Sequence, residues 1–377
     1  MREIGPANGW HGLSRRFGVN GKEGGRRSDE GARSTGVGER EKVEAVARQR
    51  MRAGVRMAAI LATFALVLVA CGNDEEQGGA TGTTGGGEPY KVTLITGDNH
   101  DPFMVTMVEG AEAAAAELGV TFDWQAPAEW DVQQQIPVMD AVLASAPDAV
   151  LVQPTDVTAL IEPLRQFQEA GIKVITVDTD VEDTSVRLAN ITSDNELGGK
   201  IAADFLAEQL PAGAKVLLMG PVPGIYTTDL RKKGFEEGIA NTDLDYVDYQ
   251  SNNDDPVQVA QQVAAVLQKH PDLAGIFAMD TFNGEGSATA VQEAGLSDQV
   301  TIISFDAGPA EVEKLRAGVI DALIVQKSYE MGFMGIEFAV KALNGEQLEP
   351  QTYTEYVVAT IDNIDSPEVQ QYIYKEL

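Results

Sequence analysis

The sequence predicts an α/β protein made of two similar, doubly wound parallel-sheet lobes. Three observations carry this. From Tyr90 onward, short β-rich runs alternate with amphipathic helical stretches. Most of the β-rich runs are continuously apolar for four or five residues, as in parallel strands buried on both faces. About nine such strands over nearly 290 residues would overload one sheet, so two lobes are expected.

The strands are read in order as Lys91–Thr96, Val120–Trp124, Ala149–Val152, Lys173–Val177, Lys215–Met219, Asp245–Tyr249, Gly275–Ala278, Thr301–Ser304 and Ala322–Val325. Between them, helical periodicity marks Thr106–Leu118, Val132–Ala144, Val157–Ala170, Asn195–Leu210, Val257–Lys269 and Gly284–Ala294. Gly119, Gly171 and Gly295 stand just past three of these helices, where a left-handed cap is needed. Strand–helix alternation of this kind implies right-handed crossovers.

In open parallel sheets, ligands sit beyond the carboxyl ends of the strands. The seven exits read GDNHDPF, QPTD, DTD, PVPGIYTTD, DTFN, DAGP and Gln326. Each delivers a carboxylate, an amide or a hydroxyl. An Asp, Asn or Thr at any single exit serves equally as a helix cap. Together, with the aromatic residues Phe103, Tyr226 and Phe282, they describe a polar pocket with apolar plates, which suits a polyol. Trp130 adds either a stacking face or a packing residue.

The first ninety residues have a different character. Ala58–Ala70 is apolar and uncharged, but too short to cross a bilayer, which takes about 20 residues. Arg52 and Arg56 precede it and a small residue with Cys71 follows, the layout of a signal peptide over 51–70. Cys71 is the one cysteine of the chain, so no internal disulfide is possible. Residues 71–89 read as a flexible Gly/Thr/acid tether. Residues 1–50 are polar and lack an apolar period. They are expected to be disordered, with a misplaced start, Met51 or Met57 being the natural first residue.

Charge narrows the partners. The chain carries 28 Lys and Arg against 58 Asp and Glu, a formal −30. Residues 1–70 hold 13 of the bases and 7 of the acids, so the remainder is near −36. Such a field repels nucleic acid and anionic headgroups. No Walker loop, nucleophile elbow or metal-ligand cluster is evident, and GEGSAT at 284–289 does not complete a dinucleotide pattern. His270 reads as a helix-end residue. No cofactor and no metal are expected.

Two resemblances sharpen the reading. Leu68-Val69-Ala70-Cys71 resembles the bacterial lipobox, which implies that Cys71 carries the lipid anchor. The motifs DNHDPFMVTMVEGAEAAAAELG (98–119), VQPTD (152–156), KVITVDTD (173–180), SDNELGGKIAADFL (193–206), HPDLAGIFAMD (270–280) and IISFDAGP (302–309) resemble the type I periplasmic sugar-binding proteins of ABC transporters. The likeness spans about 90–362. It implies two lobes, 90–193 plus 327–356 and 194–326 plus 357–377, joined by a multi-strand hinge. It also implies ligand contacts at Asp101, Phe103, Met104, Gln153, Asp178, Asp180, Asp229, Asp280, Asp306 and Gln326.

Ribose-type members place arginines where this chain has Thr179 and Asp229, so the expected pocket is acidic and without a base. The expected ligand is a small sugar or polyol. An amine-bearing, autoinducer-like or nucleoside-like ligand of a sensor subunit is the alternative, and a glycoside-acting enzyme is the remote one. Implied partners are a membrane permease and its ATPase, with the binding protein itself a monomer.

Overall fold

The computed structural model describes residues 88–375. The expected disordered segment 1–50, the expected signal peptide, Cys71 and most of the expected tether lie outside them. The first sheet contains β1 (Lys91–Ile95), β2 (Thr121–Gln125), β3 (Ala149–Val152), β4 (Lys173–Val177), β5 (Ala189–Ser193) and β11 (Gln351–Thr354), in the order β11-β5-β4-β3-β1-β2. All of its pairings are parallel. The second contains β6 (Lys215–Pro221), β7 (Asp245–Asn252), β8 (Leu273–Ala278), β9 (Thr301–Phe305), β10 (Ala322–Val325) and β12 (Val357–Thr360), in the order β12-β10-β9-β8-β6-β7. Here β12 runs antiparallel to β10.

The two sheets therefore repeat one winding, with the strand order reversing between β1 and β3 and again between β6 and β8. Those reversals open a crevice at the carboxyl ends of the strands. The expected α/β class and the doubling of the sheet are both present.

The first half carries α1 (Pro102–Leu118), α2 (Val132–Ser145) and α3 (Ile161–Glu169). The second carries α4 (Asn195–Gln209), α5 (Tyr226–Ile239), α6 (Pro256–Lys269), α7 (Thr281–Glu293) and α8 (Pro309–Arg316). Helix α9 (Ser328–Leu343) follows β10 but packs on α1 and the first sheet. The short α10 (Pro367–Gln370) leads into the C-terminal segment. The chain passes between halves three times: after β5, after β10, and between β11 and β12.

Several differences from the sequence reading have local causes. Helix α1 begins four residues before Thr106, because Asp101 caps it and Pro102 starts its first turn. Helix α3 begins at Ile161 rather than Val157, since Asp156 folds its successors into a turn by accepting from Thr158 N and Ala159 N. Strand β5 escaped notice because Ala189–Ser193 is polar in sequence yet fully buried. Its polar side chains are spent internally: Asn190 Nδ2 donates to Thr176 Oγ1 at 3.0 Å and to Thr179 O at 2.9 Å. Gly119 and Gly295 take the positive φ expected of them, at 68° and 69°.

Candidate ligand-binding cleft

Two backbone-strained aspartates stand at the centre of the crevice. Asp178 leaves β4 with φ 60°, and Asp306 leaves β9 with φ 81°, a conformation that costs a non-glycine residue about 1–3 kcal/mol. Each is held by a glutamine from the neighbouring strand. Gln153, after β3, donates Nε2 to Asp178 Oδ2 at 2.7 Å, and Gln326, after β10, donates Nε2 to Asp306 Oδ1 at 2.8 Å. The two halves thus repeat one device, an aspartate turned by its backbone and fixed by an amide. Gln135 of α2 braces the first copy: its Nε2 donates to Gln153 O at 2.7 Å and its Oε1 accepts from Thr155 N and Oγ1.

Between these aspartates lies a cavity of about 510 Å³ lined from both halves. Asp101, Phe103, Met104, Asp178, Asp280, Asp306 and Gln326 line it, as do Phe282 and Trp130. Asp101 and Asp280 are helix caps as well as wall residues. Asp101 accepts from Phe103 N at 2.9 Å, and Asp280 accepts from Asn283 N at 2.9 Å and from Asn283 Nδ2. Capping and wall formation are therefore not alternatives here. The rings of His100 and Phe282 approach to 6.2 Å across the opening.

Three buried polar atoms around this cavity have no hydrogen-bond partner within the protein: Asp178 Oδ1, Gln326 Oε1 and Trp130 Nε1. Buried polar groups are nearly always paired, so such a cluster at a cavity wall is a signature of ligand contacts. The Gln326 amide is oriented by donating to Asp306, which leaves its carbonyl oxygen as the free acceptor. Trp130 sits against Gly97, where a Cβ would lie 2.3 Å from the indole ring.

Three expected residues are placed otherwise. Gln153 is fully buried behind Asp178 and does not line the cavity. Asp180 points away from it into a bidentate pair with Arg187, with Nη2–Oδ2 at 2.5 Å and Nε–Oδ1 at 2.8 Å, and also accepts from Thr176. The two-residue step from Asp178 to Asp180 crosses a turn, so their side chains diverge. Asp229 lies on the exposed face of α5, accepting from Gly224 N. Tyr226 likewise faces the groove beside Asp194 and Tyr353 rather than the cavity.

The expectation of a pocket without a base is also corrected. Arg231 lines the cavity and is 3% exposed. Two residues along a helix is a rotation of about 200°, so Arg231 is turned inward where Asp229 is turned outward. Its Nε donates to Asn195 Oδ1 at 2.8 Å and its Nη1 to Met279 O at 2.7 Å, while the guanidinium lies 3.8 Å over the Phe305 ring. The sequence held a signal for it. Thr228, Arg231 and Phe235 share a helical stripe, and an arginine on a buried stripe is an outlier.

The electrostatics are dominated by burial of carboxylates. Burial pushes Asp178 up to about 6, opposed chiefly by Arg231 and then by the Gln153 hydrogen bond. Burial, with Asp98 nearby, raises Asp101 well above the ordinary range. Asp254 and Asp280 face each other and are both raised, again mainly by burial. Among the described residues, no group of three or more His, Cys, Asp or Glu is arranged to hold a metal ion.

Residues 92–347 match the model of the periplasmic binding protein domain. The chain belongs to that family. Among curated relatives, the ribose import binding protein of Escherichia coli is 29% identical over 258 residues, covering 68% of this chain and 86% of its own. The D-ribose/D-allose-binding protein of Pseudomonas aeruginosa is 27% identical over 273 residues, covering 70% and 85%.

Among solved structures, an ABC transporter solute-binding protein of Agrobacterium vitis bound with α-D-tagatopyranose superposes with a TM-score of 0.74. It is 38% identical and covers 76% of this chain and 100% of its own. A second A. vitis solute-binding protein, with bound D-fucose, has a TM-score of 0.72 at 28% identity, covering 75% and 100%. Among the described residues, no helix of this family member is long and apolar enough to cross a membrane.

Proposed function

We propose that this chain is the solute-binding component of an ABC importer and holds one small neutral sugar or polyol between its halves. The observation that carries the reading is the trio of unpartnered buried atoms, two acceptors and one donor, on the wall of a cavity lined by both halves. A sugar ring offers hydroxyl donors to Asp178 Oδ1 and Gln326 Oε1 and an oxygen acceptor to Trp130 Nε1. Hydroxyl donors to an ionised carboxylate give charge-assisted bonds, the stronger class. Phe103 and Phe282 supply apolar surface for C–H faces. The relatives named above, which bind ribose, allose, tagatose and fucose by their names, support the same class.

In this reading the lobes 90–193 plus 327–356 and 194–326 plus 357–377 close over the ligand about the three crossings, and the closed form docks on a permease served by an ATPase. Residues Asp101, Phe103, Met104, Asp178, Asp280, Asp306, Gln326 and Arg231 are the proposed contacts. Cys71 is the proposed lipid anchor, holding the protein at the outer face of the cell membrane. Replacing Cys71 with Ala is expected to release the protein to the medium; continued sedimentation with membranes would exclude the anchor.

The surplus of carboxylates over Arg231 favours a second reading, in which the ligand bears an amine. Titration calorimetry with D-tagatose, D-ribose, D-allose, D-fucose and D-glucosamine decides between them. A neutral sugar binding at micromolar Kd or tighter, with binding lost in Asp178→Ala and Asp306→Ala, is the expected result. Binding of D-glucosamine alone would establish the second reading, and heat from none of the five would defeat both.

A further inference from the structure

The C-terminal segment after α10 contacts two elements that carry cleft residues, the β9 exit and α1, and also the start of α9. Tyr374 is 2% exposed. Its hydroxyl donates to Asp306 Oδ1 at 2.8 Å, the same oxygen that receives Gln326 Nε2. Its backbone N–H donates to Ala307 O at 3.1 Å, so the residue is pinned to the β9 exit twice. Its ring meets Phe103 edge-on, with centroids 5.5 Å apart and planes at 78°. Lys375 N donates to the buried Thr106 Oγ1 at 3.0 Å, and Lys375 Nζ pairs with Glu109. Tyr372 reaches the start of α9, its hydroxyl donating to Glu330 Oε1 at 3.0 Å beneath Lys327.

We infer that Tyr372–Lys375 is a strap that couples closure of the cleft to the geometry of Asp306, with Tyr374 as a positioning residue for that carboxylate. The strap enters from β12, which belongs to the second sheet, and ends on α1, which packs on the first. Separation of the halves therefore breaks the contacts to Phe103, Thr106 and Glu109 while those to Asp306 and Ala307 persist. With Oδ1 occupied by two donors, Asp306 is fixed in rotation, and its Oδ2 takes part in neither bond. A buried hydroxyl that loses its acceptor finds no water to replace it, which makes the Tyr374–Asp306 bond hard to exchange. Burial beside Asp306 also raises the phenol well above its ordinary range, so it remains the donor at neutral pH.

The affinity arm of the test rests on the sugar reading above; a second arm needs no ligand. With the full chain and D-tagatose as the probe, Tyr374→Phe is expected to weaken calorimetric affinity about tenfold. A role in packing alone would not produce the next result: in an Asp306→Ala background, which removes the acceptor, the same Tyr374→Phe change shifts ligand-free melting less than it does in the parent chain. Thr106→Val, which leaves the cavity wall intact, is expected to raise the dissociation rate about threefold. Equal affinity of Tyr374→Phe and the parent chain would overturn the inference while leaving the sugar reading in place.

In the ligand-free arm, amide exchange at Tyr374 is expected to be at least a hundredfold slower than in an unprotected peptide, and tenfold faster in Tyr374→Phe than in the parent. An unprotected Tyr374 amide in the parent chain would overturn the inference whether or not any sugar binds.

Discussion

Asp178 is one of the cleft carboxyls that burial raises. Held at about 6 by burial against the pull of Arg231, it is mostly protonated at pH 5 and mostly ionised at pH 7. A sugar hydroxyl donates more strongly to the ionised form. Affinity is therefore expected to rise about tenfold between pH 5 and pH 7 and to level off above. Calorimetry across that range checks it, and Asp178→Asn should flatten the profile. Arg231 acts on the same charge. Arg231→Met would leave Asn195 Oδ1 and Met279 O without their donor and remove the cation that steadies Asp178. Loss of a buried, hydrogen-bonded charge costs about 3–5 kcal/mol, so binding should fall at least a hundredfold and the chain should melt several degrees lower. Sequence reading reached Asp178, Asp306, Gln326 and Phe103 because strand exits are legible, but missed Arg231 because exposure of Asp229 and burial of Arg231 is a matter of helix rotation.

Pairs of helices here approach through glycine. A Cβ on Gly332 of α9 would lie 1.9 Å from Met107 O, and one on Gly110 of α1 would lie 2.0 Å from Tyr329 O. Helices α4 and α5 meet the same way, a Cβ on Gly199 falling 2.0 Å from Arg231 O. Backbone cannot yield as a side chain can, so Gly332→Ala is expected to cost about 2–3 kcal/mol in chemical denaturation. Gly199→Ala should cost a similar amount and also weaken binding, because it shifts the helix that carries Arg231. Gly119→Ala offers the contrast: nothing lies within 4 Å, and only the backbone conformation at φ 68° resists, so about 1 kcal/mol is expected. If Gly332→Ala proved no worse than Gly119→Ala, the close helix contact would be refuted. Alternation of strand and helix was plain in sequence for most elements. It failed at β11, β12 and β5, whose Asn190 and Thr192 are satisfied by β4, the turn after it and β11, brought near only by folding.

Across the whole molecule, buried carboxylates decide how stability depends on pH. Asp101, Asp178, Asp254, Asp280 and Glu311 are all raised by burial. A raised carboxyl holds more protons folded than unfolded, so its stabilisation is complete below the unfolded value and is lost as pH rises through the folded one. For Asp178 that window runs from about 4 to about 6 and is worth on the order of 3 kcal/mol. The others extend it upward. Asp156, Asp183, Glu196 and Asp272 are lowered and act in the opposite direction, but they are exposed or nearly so and contribute little. Calorimetric melting of the ligand-free protein is accordingly expected to be highest near pH 4 and to decline toward pH 7.5, and saturating sugar should reduce that decline. A melting point that climbs steadily to pH 7.5 would contradict the assignment of these carboxyls.

The amino-acid sequence by itself determined the α/β class, the doubling of the sheet and most of the polar exits, because apolar runs and helix caps are local in the chain. It also carried the lipobox-like end of the apolar segment. Only the tertiary structure decided which polar residues share a cavity. Asp180 turned out to belong to Arg187, Asp229 to the outer face of α5, and Gln153 to the support of Asp178, while Arg231, two residues beyond Asp229 on the same helix, lines the cavity together with Trp130. Tyr374 reaches Asp306 and Phe103 from positions 68 residues and more away. Such contacts depend on side-chain direction and on chain crossings, and the crossings leave no periodic trace in the order of residues.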